Sequence, residues 1–174
     1  MRYTTFLIPG AITLKVTITE LSGNKLEFKL ENQAGDQNAD LRGLFFDMGK
    51  SAVQSSLTIS GDAVSAYSIS DDGVTNLGGG VNMNGAGVFD AGILFGTAGI
   101  GKDDISSTTF TIESDQSLRL EDFLDVDFGV RYTSVGEANE AREGSLKIFG
   151  DSDDAVIIDT MPPPLDPWPF PPVG

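Results

Sequence analysis

At 174 residues the chain is long enough for one β-sandwich or barrel with a real core, and too short for two comfortable domains. It contains no His and no Cys, which excludes Ser–His–Asp and Cys–His catalysis, disulfides and Cys-based zinc or iron–sulfur sites. Its net charge of −15, from 26 acids against 11 bases, opposes binding to nucleic-acid phosphates and anionic lipid. The same charge favours cations, calcium above all, or simply keeps a halotolerant surface dispersed without any ligand.

The first segment, MRYTTFLIPGAITLKVTITEL, opens with one Arg and a short apolar run. Phe6 to Ile8 is too short for the core of a signal peptide, so the segment reads as mature structure. Export then requires an uncleaved signal or a leader outside this sequence. No window reaches the roughly 18 apolar residues that a membrane-spanning helix needs. Over residues 11–20, Ile12, Leu14, Val16 and Ile18 share one face and Thr13, Lys15, Thr17 and Thr19 the other. After the turn Ser22–Asn24, Leu26, Phe28 and Leu30 repeat the period of two, which predicts a hairpin with one buried face. NQAGDQNAD is a polar loop, and LRGLFFDMG is a third strand in which Gly43 marks a bulge or a close approach.

Farther along, SLTIS and AYSIS are short strands, the second ended by Asp71-Asp72-Gly73. Residues 77–87, LGGGVNMNGAG, match neither a phosphate-cradling loop nor a calcium nonapeptide repeat, and are expected to form a mobile loop or tight β-arch. Strands return with Phe89, Ala91, Ile93 and Phe95 on one face, then TTFTIES, DFGVRYTSV, SLKIFG and AVIID. LEDFL, with Glu121 and Asp122 suited to a first turn, is expected to be one helical turn. The expectation is an all-β fold: an antiparallel, jelly-roll-like β-sandwich of nine or ten strands over residues 1–160.

Residues 161–174 change composition abruptly, because MPPPLDPWPFPPVG holds seven of the chain's eight prolines. This segment is expected to be an extended polyproline arm. It serves either as a linker to a further domain or as an arm that docks Trp168 and Phe170 on its own body or on a neighbouring subunit.

The phrases FDAGILFGTAGIGKDDISSTTFTI, LRLEDFLDVDFGVRYTSVG and REGSLKIFG, with ADLRGLFFD upstream, span about residues 39–149. They resemble a β-rich domain of large secreted bacterial proteins, notably cyanobacterial ones, that often carry hemolysin-type calcium-binding regions. That resemblance implies export, an extracellular or cell-surface location and calcium dependence. The calcium nonapeptide repeats themselves are missing from this chain.

Acids cluster at Asp36/Asp40/Asp47, Asp71/Asp72, Asp103/Asp104, Glu121/Asp122/Asp125/Asp127 and Asp151/Asp153/Asp154. None has EF-hand spacing. The first candidate for calcium is Asp103 with Asp104, where a Gly turn would hold adjacent carboxylates beside exposed carbonyls. Asp151, Asp153 and Asp154 come next, and a solvated acidic turn is the competing explanation of each cluster. A glycosidase would need only two carboxylates in a cleft, but one Trp and three Tyr are few to line one. The chain is therefore expected not to be an enzyme.

Two non-catalytic functions fit. One is a structural or adhesive surface protein that self-associates into a fibre, layer or matrix, through strand edges such as Arg2–Ile8 or through Trp168 and Phe170. The other is a calcium-dependent module for extracellular polysaccharide, although Tyr67, Tyr132 and Trp168 are scattered for a stacking platform. Neither requires nucleic acid or membrane insertion.

Overall fold

The computed structural model describes residues 1–35, 37–100, 102–137 and 139–160. Its strands are β1 (Arg2–Ile8), β2 (Leu14–Leu21), β3 (Lys25–Asn32), β4 (Asn38–Phe46), β5 (Leu57–Ser60), β6 (Val64–Val74), β7 (Phe89–Phe95), β8 (Ser107–Ser114), β9 (Asp127–Gly136), β10 (Gly144–Asp151) and β11 (Ile158–Asp159). Helix is confined to α1 (Lys50–Val53) and a 3₁₀ turn at Leu120–Phe123. All described pairings are antiparallel, and they form a six-stranded sheet in the order β11-β1-β2-β3-β8-β5 and a five-stranded sheet in the order β10-β9-β4-β7-β6. The protein is an all-β sandwich. No helix among the described residues is long and apolar enough to cross a membrane.

The period of two in β2 and β3 does what alternation requires. Ile12, Leu14, Val16, Ile18, Leu26, Phe28 and Leu30 are all buried, and β2 and β3 pair from Leu14↔Asn32 to Leu21↔Lys25. Their turn needs two left-handed residues, which Gly23 (φ 77°) and Asn24 (φ 55°) supply at low cost. Phe28 is the hub of the core between the sheets. Its ring stacks on Phe110 at 5.0 Å, meets Phe123 edge-on at 5.1 Å and lies 6.0 Å from Phe46. Phe123 belongs to the 3₁₀ turn, where Asp122 accepts the Arg119 amide at 2.9 Å and Glu121 pairs with Arg2 at 2.6 Å. The acidic first turn read from LEDFL is thus present.

Two segments depart from their expected form for one reason. Residues 75–88 do more than reverse the chain. Asn76 bridges Asn82, and Val81 and Met83 are buried with Phe45, Val74 and Phe89 on the outer face of the five-stranded sheet. The strands beneath carry Gly43 and Gly129, where an added Cβ would lie 2.6 Å from Val81 and 2.7 Å from Met83. Gly43 also follows a register shift in the β4–β9 pairing, so bulge and close approach coincide. This second small core claims Phe89, whereas Ala91, Ile93 and Phe95 face the main core. It also draws β6 past Asp71-Asp72-Gly73 to Val74, across a register shift between Ile69 and Val74 and with Asp72 at φ 45°.

Candidate functional site

Antiparallel pairing gathers acids that are far apart in sequence. Across the five-stranded sheet, Phe46 pairs with Ala91 and Phe128, Val74 with Phe89, and Asp151 with Asp127. One end of that sheet therefore carries an aspartate on or beside every strand: Asp72, Asp90, Asp47, Asp127 and Asp151 in the order β6-β7-β4-β9-β10.

The tightest part of this rim is Asp47, Asp72 and Asp90, each of which offers a carboxylate oxygen within 4.8 Å of the others. Asp90 is buried and tied to the backbone: the Asp72 amide donates to its Oδ1 at 2.8 Å and the Met48 amide to its Oδ2 at 3.1 Å. The Asp90 amide in turn donates to Asp47 Oδ1 at 3.2 Å. Burial, followed by the charge of Asp90, pushes the Asp47 carboxyl up to about 6. Asp127 and Asp72 push the same way, and only the Asp90 amide opposes them. Beside them, Asp153 donates its amide to Asp151 Oδ1 at 3.1 Å. Its carboxyl is raised first by the charge of Asp151, then by burial and by Asp125, Asp127 and Asp154. Among the described residues, none of these carboxylates is in an ion pair. Such a row of oxygens favours a retained proton or a cation over a set of unshared charges, and hard divalent ions such as calcium suit an all-oxygen set.

The acids chosen from sequence are placed differently. Asp104 is gripped by Arg142, whose Nη1 and Nη2 donate to its two oxygens at 2.9 and 2.8 Å. That hydrogen-bonded pair holds the Asp104 carboxyl below its ordinary range. Asp103 accepts the Thr97 amide through Oδ2 and secures the loop after β7. Asp151 lies at the rim with Asp153 beside it, and Asp151 and Asp154 both line the groove described below. Asp90 was missed. The signal was a Phe next to an Asp at three strand ends, Phe46-Asp47, Phe89-Asp90 and Asp127-Phe128, which marks where a buried strand meets solvent.

Of the aromatics weighed for sugar stacking, Tyr67 is exposed on β6, but Tyr132 is buried and donates its hydroxyl to Asn32 Oδ1 at 2.7 Å. Burial raises the Tyr132 phenol. Trp168 and Phe170 lie outside the described residues, as does the whole arm.

A second feature sits where the sheets open at the β1 and β10 edges. A groove of about 540 Å³ is lined by Thr5, Phe6, Leu7 and Pro9 on one wall and by Phe149, Gly150, Asp151 and Asp154 on the other. Leu7 is 54% exposed and Phe149 49%. Strand β11 covers β1 only at Arg2 and Tyr3, and Thr4 then donates its hydroxyl to the Val156 carbonyl at 2.9 Å.

No protein-family model matches the chain, and neither a curated protein nor a solved structure matches it.

Proposed function

We propose that this chain is a non-catalytic structural or adhesive β-sandwich of the bacterial cell exterior, which joins copies of itself into a fibre, layer or matrix. The carrying observation is the edge of the five-stranded sheet at β6, which no other strand pairs with among the described residues. Between its register shifts at Val64/Ala66 and Ile69/Val74 this edge contains no charge and no proline, and Tyr67 stands 41% exposed there, while Asp71 and Asp72 follow only at the far end of the strand. Soluble proteins usually blunt such an edge with Lys, Pro or an inward charge, because unpaired amides and carbonyls template pairing with another chain. The net charge of −15 opposes close approach of copies. Calcium bound by Asp47, Asp72 and Asp90, with Asp151 and Asp153 beside them, relieves that repulsion in this reading.

Negative-stain microscopy of the purified chain in millimolar Ca²⁺ and in EDTA tests the proposal. Polymers in calcium that thin out in EDTA are expected. Monomers at every concentration, with and without calcium, overturn it.

A further inference from the structure

The groove between β1 and β10 invites an occupant, because it exposes Leu7 and Phe149 at the open side of a sandwich whose other large side chains are mostly covered. Its volume falls within the roughly 300–1,000 Å³ of ordinary binding pockets. We propose that this groove receives the Pro-rich arm, residues 162–174, of a second copy of the chain. The inference rests on the self-association proposed above and names one contact through which it occurs.

The root of the arm sets the geometry. Thr160 donates its amide to the Met1 carbonyl at 3.0 Å, and the Met1 amino group donates to the Thr160 carbonyl at 3.0 Å. The chain therefore leaves the body on the same side as the groove, at the far end of β1. Because β11 runs antiparallel to β1, its continuation points past Met1 and away from Leu7. Leu7 lies six residues along β1, about 20 Å from Met1 at roughly 3.3 Å per residue. To enter its own groove the arm would have to reverse at once, where Pro162, Pro163 and Pro164 fix φ and hold the preceding residues extended. An arm that continued outward as polyproline, at about 3.1 Å per residue, would carry Trp168 about 25 Å beyond Thr160, within reach of a neighbour's groove.

The chemistry of the two parts agrees. Seven prolines leave the arm few amides for a β-ladder, so it docks by side chains, as polyproline segments do in aromatic-lined grooves. Trp168 and Phe170 supply apolar anchors for Leu7, Pro9 and Phe149. The indole N–H then has an acceptor at the rim in Asp151 or Asp154. In this reading two copies exchange arms reciprocally and close a pair. Growth beyond the pair falls to the β6 edge.

The test uses the full chain, in which Trp168 is the only tryptophan and so reports the arm alone. Fluorescence and acrylamide quenching are followed against protein concentration, with sedimentation velocity on the same samples. The expected result is a blue-shifted, protected Trp168 that becomes exposed on dilution as pairs dissociate. Leu7→Glu and Phe149→Ser, both at exposed positions, should each raise the midpoint concentration at least tenfold.

A Trp168 protected in a chain that sediments as a monomer means the arm folds onto its own body, and overturns the proposal. So does protection that neither groove variant weakens. An exposed Trp168 in a chain that still assembles overturns the arm contact but leaves the β6 edge standing. An exposed Trp168 in a chain that stays monomeric overturns both.

Discussion

Two acidic regions that read alike in sequence behave as opposites in the fold. Asp103 and Asp104 sit beside a Gly turn and look like a cation site, yet the fold has already satisfied them, through the Thr97 amide and the Arg142 fork. Asp47, Asp72 and Asp90 come from three separate strands, and their carboxylates converge with no cation paired to them among the described residues. Charge density along a chain therefore says little about which carboxylates remain unneutralised. That depends on which arginine folds back and on which strand ends the sheet aligns.

The core beneath both regions sets the scale on which they can be compared. Phe28→Ala removes the hub of the aromatic cluster and should cost about 3–5 kcal/mol, read from denaturant unfolding. A loss below about 1 kcal/mol would mean that the cluster does not carry the sandwich. Calcium comes next. At a hundred times its dissociation constant, one site on the rim adds about 2.7 kcal/mol, and EDTA removes it. An unchanged melting temperature in EDTA and in millimolar Ca²⁺ would erase the difference between the two regions.

Protons sharpen the contrast because the two regions respond with opposite sign. The folded Asp47 carboxyl is raised to about 6, above its unfolded value of about 3.9. Its stabilising contribution is thus present in full below pH 4 and lost as pH rises through about 6. With partial exposure discounted, the swing is about 1 kcal/mol in calcium-free buffer. Asp47→Asn should flatten that part of the pH profile, stabilise the calcium-free protein near pH 7 and abolish the calcium response. A variant that keeps the wild-type response would remove Asp47 from the site.

The smallest effect belongs to Asp104. Its carboxyl is held low by Arg142, so the contribution is present above the unfolded value and lost as pH falls through the lower folded one. The pair is partly exposed, and Asp104→Asn should cost about 0.5 kcal/mol, less at high salt. Its calcium response should remain that of the wild type. Loss of the response on this substitution would return the site to the Gly turn.

The fold was legible where one face of a strand is buried and the other is wet. Ile12 through Leu30 announce β2 and β3 because a slip of one residue would bury Thr and Lys. The five-stranded sheet was harder to read, since β4 and β7 are covered on both faces and lose the alternation. The lid over the outer face is written in LGGGVNMNGAG, whose glycines suggest only a turn while Val81 and Met83 do the packing. The rim was illegible for a topological reason. Asp90 is a single acid inside an apolar phrase, and only the pairing of β7 with β4 and β6 brings it to Asp47 and Asp72.

The proposal that copies join at the uncharged stretch 64–70 of the β6 edge is tested most directly by sedimentation velocity of the wild type and Tyr67→Lys in millimolar calcium. Tyr67 is exposed, so the substitution places on that edge a charge that resists burial against another strand, without disturbing either core. Wild-type protein should form species larger than a dimer with rising concentration, and Tyr67→Lys should stop at the dimer. The same size distribution for both proteins would contradict the account.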